Sequence, residues 1–155
     1  MFGSTNIAGG GSELAFTHRL TRADLTCLTG IEVTVHQFQR WVPKAYDAQV
    51  VVIGQRLFGF AIHADTPPAQ VDFRLDYRNL RYDFIEVPHE IAEGVHRLMV
   101  ELELMFAAID FVVDPDGHWV FIGDVKPCGQ YGWLETATGV PLTDHLADLL
   151  TEGIP

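Results

Sequence analysis

The sequence predicts an α+β fold, an antiparallel β-sheet with helices packed on it, and three stretches carry that expectation. Two are hairpins. Residues 48–53 and 57–62 are apolar, β-branched-rich runs around Gly54-Gln55, where a glycine in the first turn position fits a two-residue type II′ turn. Residues 107–113 and 118–125 flank Asp114-Pro-Asp-Gly117, a turn sequence with a physical reason at each position. The third is a helix opened by Pro88, with Glu90 in its first turn and Ile91, Val95, Leu98, Met99 and Leu102 at helical spacing. Gly94 lies inside this helix and weakens it.

The remaining chain is read in order. Residues 1–12 hold small polar residues and Gly9-Gly10-Gly11, and are expected to form a flexible N-terminal arm, with one domain over 13–155. Residues 20–28 predict a short helix that Thr21 caps and whose first turn carries Asp24. Residues 36–42 alternate loosely, as a strand does. Residues 64–83, rich in Pro, Asp, Arg and Tyr, predict a loop with at most one short strand. Residues 127–133 read as a Gly- and Trp-containing loop, and residues 142–150 as a closing helix that turns Leu142, Leu146, Leu149 and Leu150 inward.

Composition narrows the function. The chain has 155 residues, 48% of them hydrophobic and 20% charged, enough for one globular core. Ten Lys+Arg against 21 Asp+Glu give a net charge of −11, which repels nucleic acid and anionic membranes. Cys27 and Cys128 stand far apart without Cys-x-x-Cys spacing, and no apolar run has spanning length, so a reduced, cytoplasmic protein is expected. The seven histidines show no metal spacing. Asp110 and Asp124 lie on the two strands of the second hairpin, where converging carboxylates suit Mg²⁺.

Three blocks in a fixed order add a resemblance. They are Phe38-Gln-Arg-Trp-Val-Pro-Lys-Ala-Tyr-Asp-Ala-Gln-Val-Val-Val-Ile-Gly54, Ala108-Ile-Asp-Phe-Val-Val-Asp-Pro-Asp-Gly117 and Val125-Lys-Pro-Cys-Gly-Gln-Tyr-Gly-Trp-Leu-Glu135. Together they resemble the ATP-grasp ligases that mature ribosomal peptides, the group with the microviridin ester- and amide-forming enzymes. The resemblance implies an ATP-grasp C-terminal lobe that lacks the pre-ATP domain, from a family about twice as long. It also implies ATP and Mg²⁺ as the family's cofactors, and carboxylate phosphorylation followed by attack of a hydroxyl or amine.

Set against the family pattern, four features depart. The first is the missing front half. In the second, the family's Glu-x-Asn-Pro becomes Asp124-Val-Lys126-Pro127, with Gly123 as one extra residue after Asp110. A lysine there replaces a neutral oxygen ligand with a cation that pairs with Asp110 or Asp124. The third is Lys44-Ala-Tyr-Asp47-Ala48-Gln49, which replaces the family's phosphate-facing Arg by Gln49. The fourth is Arg40, which takes the place of the acid that lines the adenine pocket. Lys44 and Gln130 match family positions beside the nucleotide, although a lysine after Val-Pro is ordinarily a solvated loop residue.

These departures imply nucleotide-site remnants at Arg40, Lys44, Gln49, Lys126 and Gln130 and a degenerate metal pair, Asp110 and Asp124. The expected function is non-catalytic binding of a precursor (leader) peptide, or of a partner enzyme, in the biosynthesis of a ribosomally made, modified peptide. No cofactor is expected. The family's leader-binding helix corresponds to residues 20–28, with Ala23, Asp24 and Cys27 at the recognising positions. An exposed apolar face left by the lost lobe predicts a homodimer. The alternative is an active ATP/Mg²⁺-dependent carboxylate ligase completed by another subunit.

Overall fold

The structure is a computed structural model that describes residues 3–7, 11–33 and 35–152. Five strands form one antiparallel sheet in the order β5-β4-β3-β6-β7: β3 Tyr46–Ile53, β4 Arg56–Ala64, β5 Leu80–Ile85, β6 Phe106–Val113 and β7 Trp119–Lys126. The α+β expectation holds, and both predicted hairpins are present. Ile53 pairs with Arg56 across Gly54-Gln55, and Gly54 takes φ +60° while Gln55 does not share the positive φ, as a type II′ turn requires. In the second hairpin the Asp114 carboxylate accepts from the Asp116 and His118 amides at 2.9 and 2.8 Å.

The central strand explains the unbroken apolar run in the sequence. Every β3 residue from Asp47 to Ile53 is buried, because both faces of the sheet are covered. One face packs Val50, Val52, Ala107 and Ile109 under α2 (His89–Glu101), which contributes Val95 and Met99. Ile91 and Leu98 join this cluster, whereas Leu102 caps the helix and is exposed. Pro88 is the N-cap residue, one place before the predicted position, and its carbonyl accepts from Ala92 at 2.9 Å. The opposite face packs Val51, Ile53, Phe58, Phe60 and Ala108 under Leu134 and Leu142.

Several expectations need correction. The loop at 127–133 leads straight into a second C-terminal helix, α3 (Gly132–Thr138), before α4 (Leu142–Glu152). Its Leu134 is wholly buried, and a single anchoring side chain gave too little periodicity to signal a helix. On α4, Leu150 faces solvent, since Leu142, Leu146 and Leu149 already fill the inward face. The predicted loop at 64–83 holds α1 (Pro67–Val71), two 3₁₀ turns within Phe73–Asn79 that break at the extended Asp76, and the start of β5.

The helix expected at 20–28 is one 3₁₀ turn, Asp24–Thr26. Thr21 does not cap it as expected: the N-cap residue is Ala23, without a side-chain cap bond, and Asp24 instead accepts from the Thr21 amide and hydroxyl at 2.6 and 2.7 Å. The turn stops because Cys27 goes extended and no side chain of the turn is buried, so packing adds nothing to weak propensity. Residues 36–42 form no strand, having no partner to complete a ladder. Within the expected arm, Gly3–Ile7 (β1) pairs antiparallel with Gly11–Ala15 (β2), across the boundary expected at residue 12. Residues 1, 2 and 8–10 of that arm lie outside the described residues.

Candidate functional site

The polar cluster grows out of the register on the face covered by α3 and α4. Gln49 on β3 is paired with Asp110 on β6, and Asp110 with Asp124 on β7. Paired residues point to one face, so three strands deliver three oxygen-bearing side chains to one place.

A bulge in β7 is what brings the two acids together. Phe111 pairs with Phe121, yet Asp110 pairs with Asp124, so Ile122 and Gly123 are inserted, with Gly123 at φ +82°. Continued without them, the register set by Phe111 and Phe121 would place Asp124 opposite Ala108 and Lys126 opposite Phe106. The bulge slides both two residues along the same face. Gly123, read from the sequence as one extra residue, is half of a two-residue bulge.

Lys126 closes the cluster. Its ammonium contacts Asp110 Oδ2 and lies 3.5 Å from Asp124 Oδ2. Gln49 Nε2 donates to the other Asp110 oxygen at 2.7 Å. Both Asp110 oxygens therefore accept from this chain's own donors. Gln49 is 3% exposed, and its Oε1 has no hydrogen-bond partner among the described residues.

Lys44 departs from the solvated loop residue expected. Its side chain is 9% exposed and its ammonium bonds both Asp47 oxygens, at 2.7 and 2.6 Å. Burial pushes the Asp47 carboxyl up, and Lys44 offsets only part of that. Arg40 is exposed on the segment before β3, and no described hydrogen bond or ion pair ties it to the cluster. Gln130 is also exposed, and its carbonyl anchors the Trp133 indole N–H at 2.9 Å. Gly129 lies against β6, where a Cβ would meet the Ala108 Cβ at 2.7 Å. Ala23 and Cys27 are exposed and Asp24 is half-exposed, its carboxyl held below the ordinary range by the Thr21 amide and hydroxyl.

One pair was missed by the sequence reading. Asp72 is 5% exposed and accepts from Arg74 Nε at 2.7 Å, a second Arg74 nitrogen and the Thr17 amide at 2.9 Å. Burial raises its carboxyl, but Arg74's fork and the Thr17 amide outweigh that and hold it below the usual range. Arg74 also feels the Asp110 carboxylate through space. The available signal was an aspartate capping a short turn, since Asp72 also accepts the Arg74 amide at 3.1 Å. Elsewhere, a concavity of ≈ 250 Å³ lies on the α2 side around His96, Met99 and Leu104 and includes no cluster residue.

Comparison with solved structures follows this geometry. An ATP-grasp ligase associated with ribosomally made peptides from Chryseobacterium gregarium, solved with ADP and a leader and core peptide, superposes with TM-score 0.86 at 23% identity. The match covers 100% of this chain and 47% of that one. The macrocyclase MdnC from Microcystis aeruginosa, bound to its precursor peptide MdnA, gives TM-score 0.80 and 26% identity over 96% of this chain and 46% of that one. The fold is that of the ATP-grasp ligases. MdnB, a macrocyclase from the same organism, gives 0.61 and 28% over 75% and 41% of the two chains. The chain thus spans about half the length of the ATP-grasp ligases it matches. No protein-family model and no curated protein matches the sequence. Among the described residues no helix is long and apolar enough to cross a membrane.

Mg²⁺, the ion that the resemblance of the three sequence blocks implies, is the one to test against this site, and the residues do not fit it. The oxygens are of the right kind, but an ammonium already lies against both carboxylates. Two unit charges about 4 Å apart interact by ~4 kcal/mol at a near-surface dielectric, so a dication beside Lys126 would be opposed by ~8 kcal/mol. Gln49, where the family pattern has an arginine, adds no positive charge toward phosphate.

Proposed function

We infer that this protein is a non-catalytic ATP-grasp homologue that binds a precursor peptide, or a partner enzyme, in the biosynthesis of a ribosomally made peptide. One observation carries the non-catalytic part: the Lys126 ammonium lies where the two carboxylates would hold a metal. The peptide part is supported by the two ligases described above, both solved with peptide. The segment around the Thr21–Asp24 turn offers half-exposed acid beside exposed Leu20, Leu25 and Leu28, a surface suited to an apolar, basic peptide segment.

Calorimetry tests both parts. Mg·ATP is expected to give a flat trace at concentrations that detect a dissociation constant near ~1 mM. A leader peptide of the kind bound by the ligases described above is expected to give a saturable isotherm, weakened about tenfold by Asp24→Lys and little by Asp24→Asn. A one-site Mg·ATP isotherm would overturn the non-catalytic reading. It would select the alternative that the Asp110–Asp124 convergence favours, a ligase site completed by another subunit.

The same reading includes a homodimer. Val33, Val35 and Phe38 are 80%, 96% and 60% exposed, more apolar surface than a short segment ordinarily leaves in water. Light scattering after size exclusion is expected to give twice the chain mass, and a monomer at all concentrations would refute it.

A further inference from the structure

We propose that the exposed segment 33–41 of one copy docks on the C-terminal end of α2 in a second copy, and the reverse, with Phe38 in the α2 concavity and Arg40 beside Glu103. The proposal rests on the homodimer reading and names the surface that receives the segment. Both surfaces are bare within one chain: Val33, Val35 and Phe38 are exposed, and Val100, which lines the concavity, is 74% exposed. Two copies of the segment do not suit one another, since each carries Arg40 and no acid. The α2 end is its complement. Residues 89–105 hold Glu90, Glu93, Glu101 and Glu103 against the single Arg97. In a two-fold dimer the contact is made twice, so each apolar, basic segment meets an apolar, acidic surface.

The concavity fits a side chain. Its ≈ 250 Å³ falls below the ~300–1,000 Å³ of small-molecule pockets, and Met99, Leu104 and Met105 in its lining offer an aromatic ring adaptable apolar contacts. Phe38 is the aromatic anchor, its ring stacked on His36 with centroids 6.1 Å apart. Glu103 supplies an independent observation. The Leu104 amide donates to the Met99 carbonyl at 2.9 Å and the Glu103 amide to the Val100 carbonyl at 3.1 Å, the pair of bonds that closes a helix through a left-handed residue. Glu103 is that residue, at φ +54°, and among the described residues no other non-glycine has a positive φ. Glycine would take this backbone without strain, and a cation would suit the carbonyl end of the helix dipole. An acid is unfavourable on both counts, and no basic residue stands in the last turn of α2 to offset it. An arginine brought by a second copy supplies the missing cation.

Sedimentation velocity over a concentration series reads the dimer. Arg40→Glu and Glu103→Arg are each expected to raise its dissociation constant about tenfold, because each places like charges together twice. An equimolar mixture of the two variants should return to within about threefold of wild type, since every meeting between the copies is again of opposite sign. Both positions are exposed, and rescue in the mixture itself shows that both variants are folded. Glu103→Gly separates this role from a structural one: it should weaken the dimer while raising the Tm at dilutions where the chain is monomeric. A wild-type dimer that neither charge reversal weakens, or a loss that mixing does not repair, overturns the proposal and leaves the homodimer standing. A wild type that stays monomeric at all concentrations refutes the homodimer, and this contact with it.

Discussion

Replacing Phe60 by alanine is expected to lower the unfolding free energy by about 3–5 kcal/mol, with a proportional fall in the urea midpoint and little change in slope. Phe60 is wholly buried, within the cluster that joins β3 and β4 to Leu134 of α3 and Leu142 of α4. Removing the ring deletes its transfer energy and leaves a cavity that the paired strands cannot close, because their spacing is set by backbone ladders. The effect reaches the polar cluster, since Phe60 is the register partner of Gln49; its ring also packs at a tilt on Phe84, with centroids 5.7 Å apart. Phe60→Leu should recover more than half of the loss, because it refills most of the volume. A loss under about 1 kcal/mol for Phe60→Ala would show that α3 and α4 do not pack on the sheet in solution.

Asp72→Ala is expected to cost about 3 kcal/mol, the lower end of what losing one partner of a buried ion pair costs. The substitution strands Arg74, whose side chain is 18% exposed, and releases the Thr17 amide, which Asp72 ties to the segment preceding the main sheet. Its pH dependence carries the sign. The folded carboxyl lies below its unfolded value, so its contribution is complete above the unfolded range near ~4 and is lost as pH falls through the folded one. Wild type should therefore weaken on acidification below about pH 4 partly through this residue, and Asp72→Ala should flatten that limb in urea titrations at a series of pH values. A variant with an unchanged acid limb would remove Asp72 from that role.

Much of this architecture is written in local chemistry. Gly54-Gln55 and Asp114-Pro-Asp-Gly117 dictate two hairpins, because their turn geometries depend on residues adjacent in sequence. The α2 face is legible because Ile91, Val95, Leu98 and Met99 repeat at helical spacing. The Thr21–Asp24 contact is equally local, and it forms even though the helix expected there is reduced to one turn. The three blocks that resemble ATP-grasp ligases lie on β3, on the β6–β7 hairpin and on the loop into α3.

Local order along the chain specifies the pair of hairpins, the main helix, the acidic charge and the residue types present near Asp110. How those residues meet is settled by packing between strands and helices distant in sequence. The turn at 114–117 does not specify where a bulge falls, so it left Asp124 and Lys126 two residues from the place they occupy. That Lys44 is half-buried against Asp47 depends on the coverage of β3, and that Asp72 meets both Arg74 and Thr17 depends on how the β4–β5 connection folds back. Turns and periodicity act over a few residues and are legible in order along the chain. Charge pairing and burial act through space, and Gln49 and Asp110 meet across 61 residues of sequence.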